Sequence, residues 1–247
     1  MGIWSRSQNT SMLESSLTLT SVSRIRATLI SAVMLCGLGV AHANPSLVKV
    51  EYLPRQDLLC ALLPGASIKE EWKVELLARQ AEFETLWNAQ GPRLMEAAET
   101  ITGKRFPPEQ IEAQLTLCNT PSESFAATGR VSINMRYALR SFTSTPVPMR
   151  YKVDTLFHEL LHVFLFKNPI QNSRLLEENA SEPERVRSHL HLLALQKAVL
   201  LKLNEPDALK DVIAIDSQLP GGYYKRAWAI VNATDDAYLG YVAEASR

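Results

Sequence analysis

The segment TLFHELLHVFLF, from Thr155 to Phe166, sets His158, Glu159 and His162 into an otherwise apolar run. A buried imidazole or carboxylate loses its hydration without compensation, so such groups persist only where something satisfies them. A metal ion is one such partner. If the segment is helical, His158 and His162 lie one turn apart on one face, and both rings reach a single ion at roughly 2.0–2.1 Å. Glu159 turns about 100° away from its neighbour. That keeps its carboxylate off the ion and beside an attacking water, whose proton it can accept. Asp154, one turn before His158, is placed to orient that ring through its second nitrogen.

The helix that must present these groups should run from about Met149 to Lys167. Pro146 and Pro148 mark its start, and Asn168-Pro169 its stop, because the residue before a proline is pushed out of the α region. Leu156, Phe157, Leu160, Leu161, Val163 and Phe164 surround its axis, so it should be buried on nearly all sides. A later helical stretch, EPERVRSHLHLLALQKAVLLKL, carries His189 and His191. At about 100° per residue its apolar side chains point close to His189, with Val186, Leu193 and Leu200 beside it, while His191 projects roughly 160° away. His189 is the first choice to complete a three-histidine site. His191 and a glutamate among Glu177, Glu178, Glu182 and Glu184 remain alternatives.

The run His158-Glu159-Leu160-Leu161-His162 matches H-E-x-x-H, and here the chain resembles the zinc metallopeptidases called zincins; the uncharged Leu156, Leu160, Leu161 and Val163 fit the longer pattern around that motif. The resemblance implies an α+β fold with a small sheet and an edge strand, a buried motif helix, and a mostly helical C-terminal part. In that family the edge strand borders the cleft and pairs with extended peptide, and GRVSINMRYAL is the candidate. The implied cofactor is zinc and the implied activity is peptide-bond hydrolysis, with Glu159 as general base. Thermolysin-like members take a glutamate some 20 residues after the second histidine, which leads to Glu182. Pro183 follows directly, so Glu182 sits at a helix entrance, where the helix dipole and a Ser181 cap account for it. The other zincin pattern, a glycine turn before a third histidine, is absent. Zincins often use a tyrosine, histidine or arginine to stabilise the oxyanion, and Tyr224, in a helix launched by Pro220-Gly221-Gly222, is the choice for that role. The alternative reading is a non-catalytic zinc-binding or peptide-binding protein of the cell envelope. Glu159 argues against it, since a structural site has no need of a base.

The remaining sequence frames this site. Arg24 and Arg26 precede the apolar run ATLISAVMLCGLGV and then AHA ending at Ala43, the pattern of a signal peptide over residues 1–43, with a mature chain from Asn44. An apolar run of about 14 residues falls short of the roughly 20 that span a bilayer. No stable membrane span is expected after cleavage, and the protein should be periplasmic or secreted. Cys36 leaves with the signal, so Cys60 and Cys118 should pair as a disulfide in an oxidising compartment. Basic and acidic residues number 26 each, and loss of Arg6, Arg24, Arg26 and Glu14 leaves 23 and 25, a formal charge of −2. With no basic stripe interleaved with aromatics, nucleic acid is not an expected partner; a peptide or protein substrate is.

Residues 44–247 suit one domain. SLVKVEYL, IEAQLTLC and GRVSINMRYAL alternate like strands, whereas KEEWKVELLARQAEFETLWNA has helical spacing up to a break expected at Gly91-Pro92. A second helix, RLMEAAETITG, should end at Gly103. Beyond TSTPVP the pattern is helical to the end, which gives the α+β order.

Overall fold

The computed structural model describes residues 47–55, 57–61 and 67–247. The export signal expected over residues 1–43, with its cleavage point before Asn44, lies outside them. The fold is α+β and mostly helical, with one four-stranded mixed sheet.

The alternating segments form strands, except that the strand within GRVSINMRYAL ends at Asn134 and Arg136–Ala138 make a 3-10 turn. Strand β1 (Val48–Tyr52) pairs in parallel with β2 (Ile111–Thr116), and β2 pairs in parallel with β4 (Arg130–Asn134). A short strand, β3 (Glu123–Phe125), runs antiparallel along the outer side of β4, with Ser124 opposite Val131. The order β1-β2-β4-β3 makes β4 an interior strand. The segment GRVSINMRYAL is therefore not the edge of the sheet; β3 is. Three residues are too few for a period-2 pattern to show, and the hairpin closes through Gly129, whose φ of 66° suits a residue without Cβ.

Helix α1 (Asp57–Ala61) follows β1, and its Asp57 carboxylate is buried. It accepts hydrogen bonds from the Tyr52 hydroxyl (2.9 Å), the Thr116 hydroxyl (2.7 Å) and the Leu117 amide (3.0 Å). Beside it Cys60 and Cys118 form a disulfide.

Helix α2 (Glu70–Thr102) runs straight through Gly91-Pro92, where two helices were expected. Proline in a helix interior costs about 3 kcal/mol. Burial of Trp72, Leu76, Phe83, Trp87, Leu94 and Ala98 along one face offsets that cost. Gly91 serves packing rather than breakage: a Cβ there would stand 2.5 Å from the Trp87 indole. The helix stops at Gly103, left-handed at φ 70°, whose amide bonds Glu99 O at 2.8 Å.

Helix α3 (Met149–Lys167) has the expected bounds and is buried on most sides. It packs on α2, on β3 and β4, and on α5 (Glu184–Lys202). Between them lies the short α4 (Arg174–Glu178), and after α5 come α6 (Pro206–Asp216), α7 (Tyr223–Val231) and α8 (Ala237–Ala245). Helices α7 and α8 both contact α5, so α5 is covered on two sides. No described helix is long and apolar enough to cross a membrane. That and the disulfide are compatible with an exported protein.

Candidate metal centre and cleft

Helices α3 and α5 bring His158, His162 and His189 together. Their ring centroids lie 5.1 Å (158–162), 5.5 Å (158–189) and 5.0 Å (162–189) apart. One ring nitrogen from each falls within 4.8 Å of the others, a group able to hold a metal ion. His158 and His189 are buried and His162 is half-buried.

The other nitrogens of the two buried rings are already engaged. Nδ1 of His158 lies 3.2 Å from Gln196 Oε1, and Nδ1 of His189 lies 2.7 Å from the Arg185 carbonyl. Both partners are acceptors, so each Nδ1 carries the proton and each Nε2 keeps a lone pair. Burial and the neighbouring imidazoles hold His158 well below its ordinary pKa. The same causes push His162 down to about 4, and burial also lowers His189. Three neutral imidazoles are the protonation state that a metal ion requires, and such a donor set suits a divalent transition metal.

Glu159 is buried beside the histidines and is not a member of their group. Burial, then the nearby Glu123 carboxylate, push its pKa up to about 8, with Ser124 pulling the other way. A bound cation would lower it again. Both neighbours belong to β3, so the edge strand runs beside this carboxylate. The Tyr224 hydroxyl lies 3.3 Å from His158 Nε2, with its ring 4.9 Å from that of His189. Burial, with the charge of Glu159, raises the pKa of Tyr224 and keeps it protonated. These groups line a cleft of about 970 Å³ that also reaches Lys152, Thr155 and Asp216.

The other ligand choices go elsewhere. His191 is buried, but its Nε2 lies 2.9 Å from Glu244. Glu182 receives Arg226, with Nη2 at 2.5 Å and Nε at 3.1 Å from Oε1. Glu177, Glu178 and Glu184 are exposed and outside the histidine group. Asp154 does not orient His158. It pairs with Arg150 at 3.1 Å, one turn before it, while Gln196 takes the His158 ring. Asp154 and His158 share a helix, and the long Arg150 side chain outcompetes the ring for the carboxylate. Gln196 had a signal in the sequence, being seven residues and two turns beyond His189 on the same inward face. Glu123 and Ser124 had none, because their strand shows no period.

A second metal-ligand-like group, Asp57 with Cys60 and Cys118, has both sulfurs in the disulfide and is structural. Comparison with models of known protein families, with curated proteins and with solved structures yields no match for this chain. The functional reading therefore rests on the site itself.

Proposed function

We propose that this chain is an exported, zinc-dependent peptidase of zincin type, acting in the periplasm or outside the cell. The observation that carries the reading is the convergence of three neutral histidines beside a buried glutamate that is not one of their group. A purely structural site would not need that carboxylate. The strand β3 supports a peptide as substrate, since it lies beside Glu159 and, among the described residues, pairs within the sheet on its β4 side alone. An extended peptide can add there by backbone hydrogen bonds.

His158, His162 and His189 would hold the zinc, and zinc in such a site lowers the pKa of water and polarises a carbonyl. Gln196 and the Arg185 carbonyl fix the ring orientation of His158 and His189. Glu159 takes the proton of the attacking water and returns it to the leaving amine. The Tyr224 hydroxyl donates to the oxygen on which negative charge develops.

The test pairs metal content with turnover. Protein purified from the cell envelope should contain about one equivalent of zinc by elemental analysis and should degrade unfolded casein. A chelator should abolish that activity and added zinc should restore it. Zinc-loaded protein that left every unstructured substrate intact would refute the peptidase reading.

A further inference from the structure

Lys152 is a lysine in the wall of the cleft with only 5% of its surface exposed. It lies on α3 seven residues before Glu159, two helical turns away and on the same face, with Thr155 between them. Among the described residues no carboxylate pairs with its ammonium. The charge of Asp216 reaches it, but that carboxylate is already held by the Tyr151 hydroxyl at 2.8 Å and Trp228 Nε1 at 2.9 Å. Its Nζ lies 5.7 Å over the Tyr151 ring, so Lys152 places in the wall of the cavity that contains Glu159 a largely buried cation without an ion-pair partner. Burial pushes its pKa down to about 8, which still leaves it mostly protonated at neutral pH. A dehydrated ammonium gains most from an incoming carboxylate, through a charge-assisted hydrogen bond.

We propose that Lys152 is the carboxylate-binding end of the substrate cleft, anchoring an anionic group of the peptide about three residues from the bond that is cut. The spacing follows from two rises. Seven helical residues advance roughly 10.5 Å along α3, and an extended peptide covers that in about three residues at 3.3 Å each. The carboxylate is either the C-terminus of the peptide or an aspartate or glutamate side chain. The inference takes the nature of its ligand from the peptidase reading.

The probes are fluorescein-labelled hexapeptides of alanine and leucine. One pair ends in a free carboxylate or a carboxamide; another set, all carboxamides, carries glutamate or glutamine at each position in turn. Binding is read by fluorescence anisotropy on zinc-loaded Glu159→Gln protein, which needs no turnover. Cleavage sites on the unaltered protein are read by mass spectrometry. The carboxylate member of at least one pair should bind about tenfold more tightly than its neutral counterpart. That preference should fall to within about twofold in Lys152→Met and persist in Lys152→Arg. A gain confined to the free C-terminus identifies a terminal anchor, and one that follows the glutamate identifies an acidic side chain. Equal binding of all pairs overturns the proposal, as does a preference that survives Lys152→Met. Should Lys152→Met not fold, the cleavage map decides, because cuts at no fixed distance from the anion also overturn it. A Lys152-dependent preference without any cleavage would refute peptidase action and leave the anion site standing. Cleavage without preference would do the reverse.

Discussion

His189 and His191 are two residues apart on one helix, both are buried, and they meet opposite fates. The His191 ring faces α8, where Glu244 accepts its Nε2 proton and itself receives the Ser173 hydroxyl at 2.5 Å and the Leu175 amide at 3.2 Å. The His189 ring faces α3, where it meets two more imidazoles with depressed pKa values, and the Tyr224 ring lies 4.9 Å from it. Burial of an imidazole is thus a poor guide to function. What separates the two rings is the company of Nε2: that of His191 is held by Glu244, whereas His189, with Nδ1 on the Arg185 carbonyl, turns a ring nitrogen towards two other imidazoles, a grouping that suits an ion.

The sharpest way to break this contrast is to delete each ring. His189→Ala should weaken zinc binding by on the order of a thousandfold and abolish hydrolysis, whereas His191→Ala should leave affinity within about threefold. A competition titration against a chromophoric chelator reads both, and equal losses would erase the distinction. Next in size, Glu159→Gln should keep zinc while casein hydrolysis drops by roughly a hundredfold to ten-thousandfold. Full activity in that variant would remove the base from the mechanism. Gln196→Ala should weaken zinc affinity by about 10- to 100-fold, the range seen when the partner of a ligating histidine is lost. It tests whether the orienting role belongs to Gln196, and an Asp154→Asn variant with the larger effect would return it to Asp154.

The smaller effects lie on the His191 side. His191→Leu should lower the folding free energy by about 1–3 kcal/mol in urea titrations, since Glu244 is left short of a donor. The pH dependence has a definite sign. Burial lowers the pKa of His191 more than Glu244 raises it, so the unfolded chain binds this proton more readily than the folded one. The stability that depends on neutral His191 is complete above its unfolded value near 6.5 and is lost as pH falls through it. For Glu244, burial is outweighed by hydrogen bonds from Ser173, His191 and the Leu175 amide, which lower its pKa. Its contribution is present above about 4.3 and is lost below. Metal-free protein should therefore lose stability between pH 7 and 5, and His191→Leu should lose less over the same interval. Parallel curves would mean that His191 does not titrate with unfolding.

Some features were legible because they are local. The bounds of α3 follow from flanking prolines and apolar spacing within a few residues, and the Cys60–Cys118 bridge from there being no other cysteine beyond residue 43. Others misled for equally definite reasons. Gly91-Pro92 has the composition of a break, but the surrounding apolar face buries enough surface to carry the helix through, and the glycine makes room for Trp87. The segment of β4 alternates as an edge strand would, yet a strand of only three residues takes the edge.

Within each helix, the sequence by itself determined phase. It put His158 and His162 on one face, turned Glu159 off it, and separated His189 from His191, because 3.6 residues per turn is a property of the backbone. It left open whether His189, His191 or a glutamate joins the pair, and whether Asp154 or another group steadies His158. Those choices belong to tertiary structure. They depend on α5 crossing α3 with His189 and Gln196 inward, on α8 closing over His191, and on β3 laying Glu123 and Ser124 beside Glu159. Packing between elements distant in the chain sets these relations, and no spacing along the sequence encodes the distance between two helices.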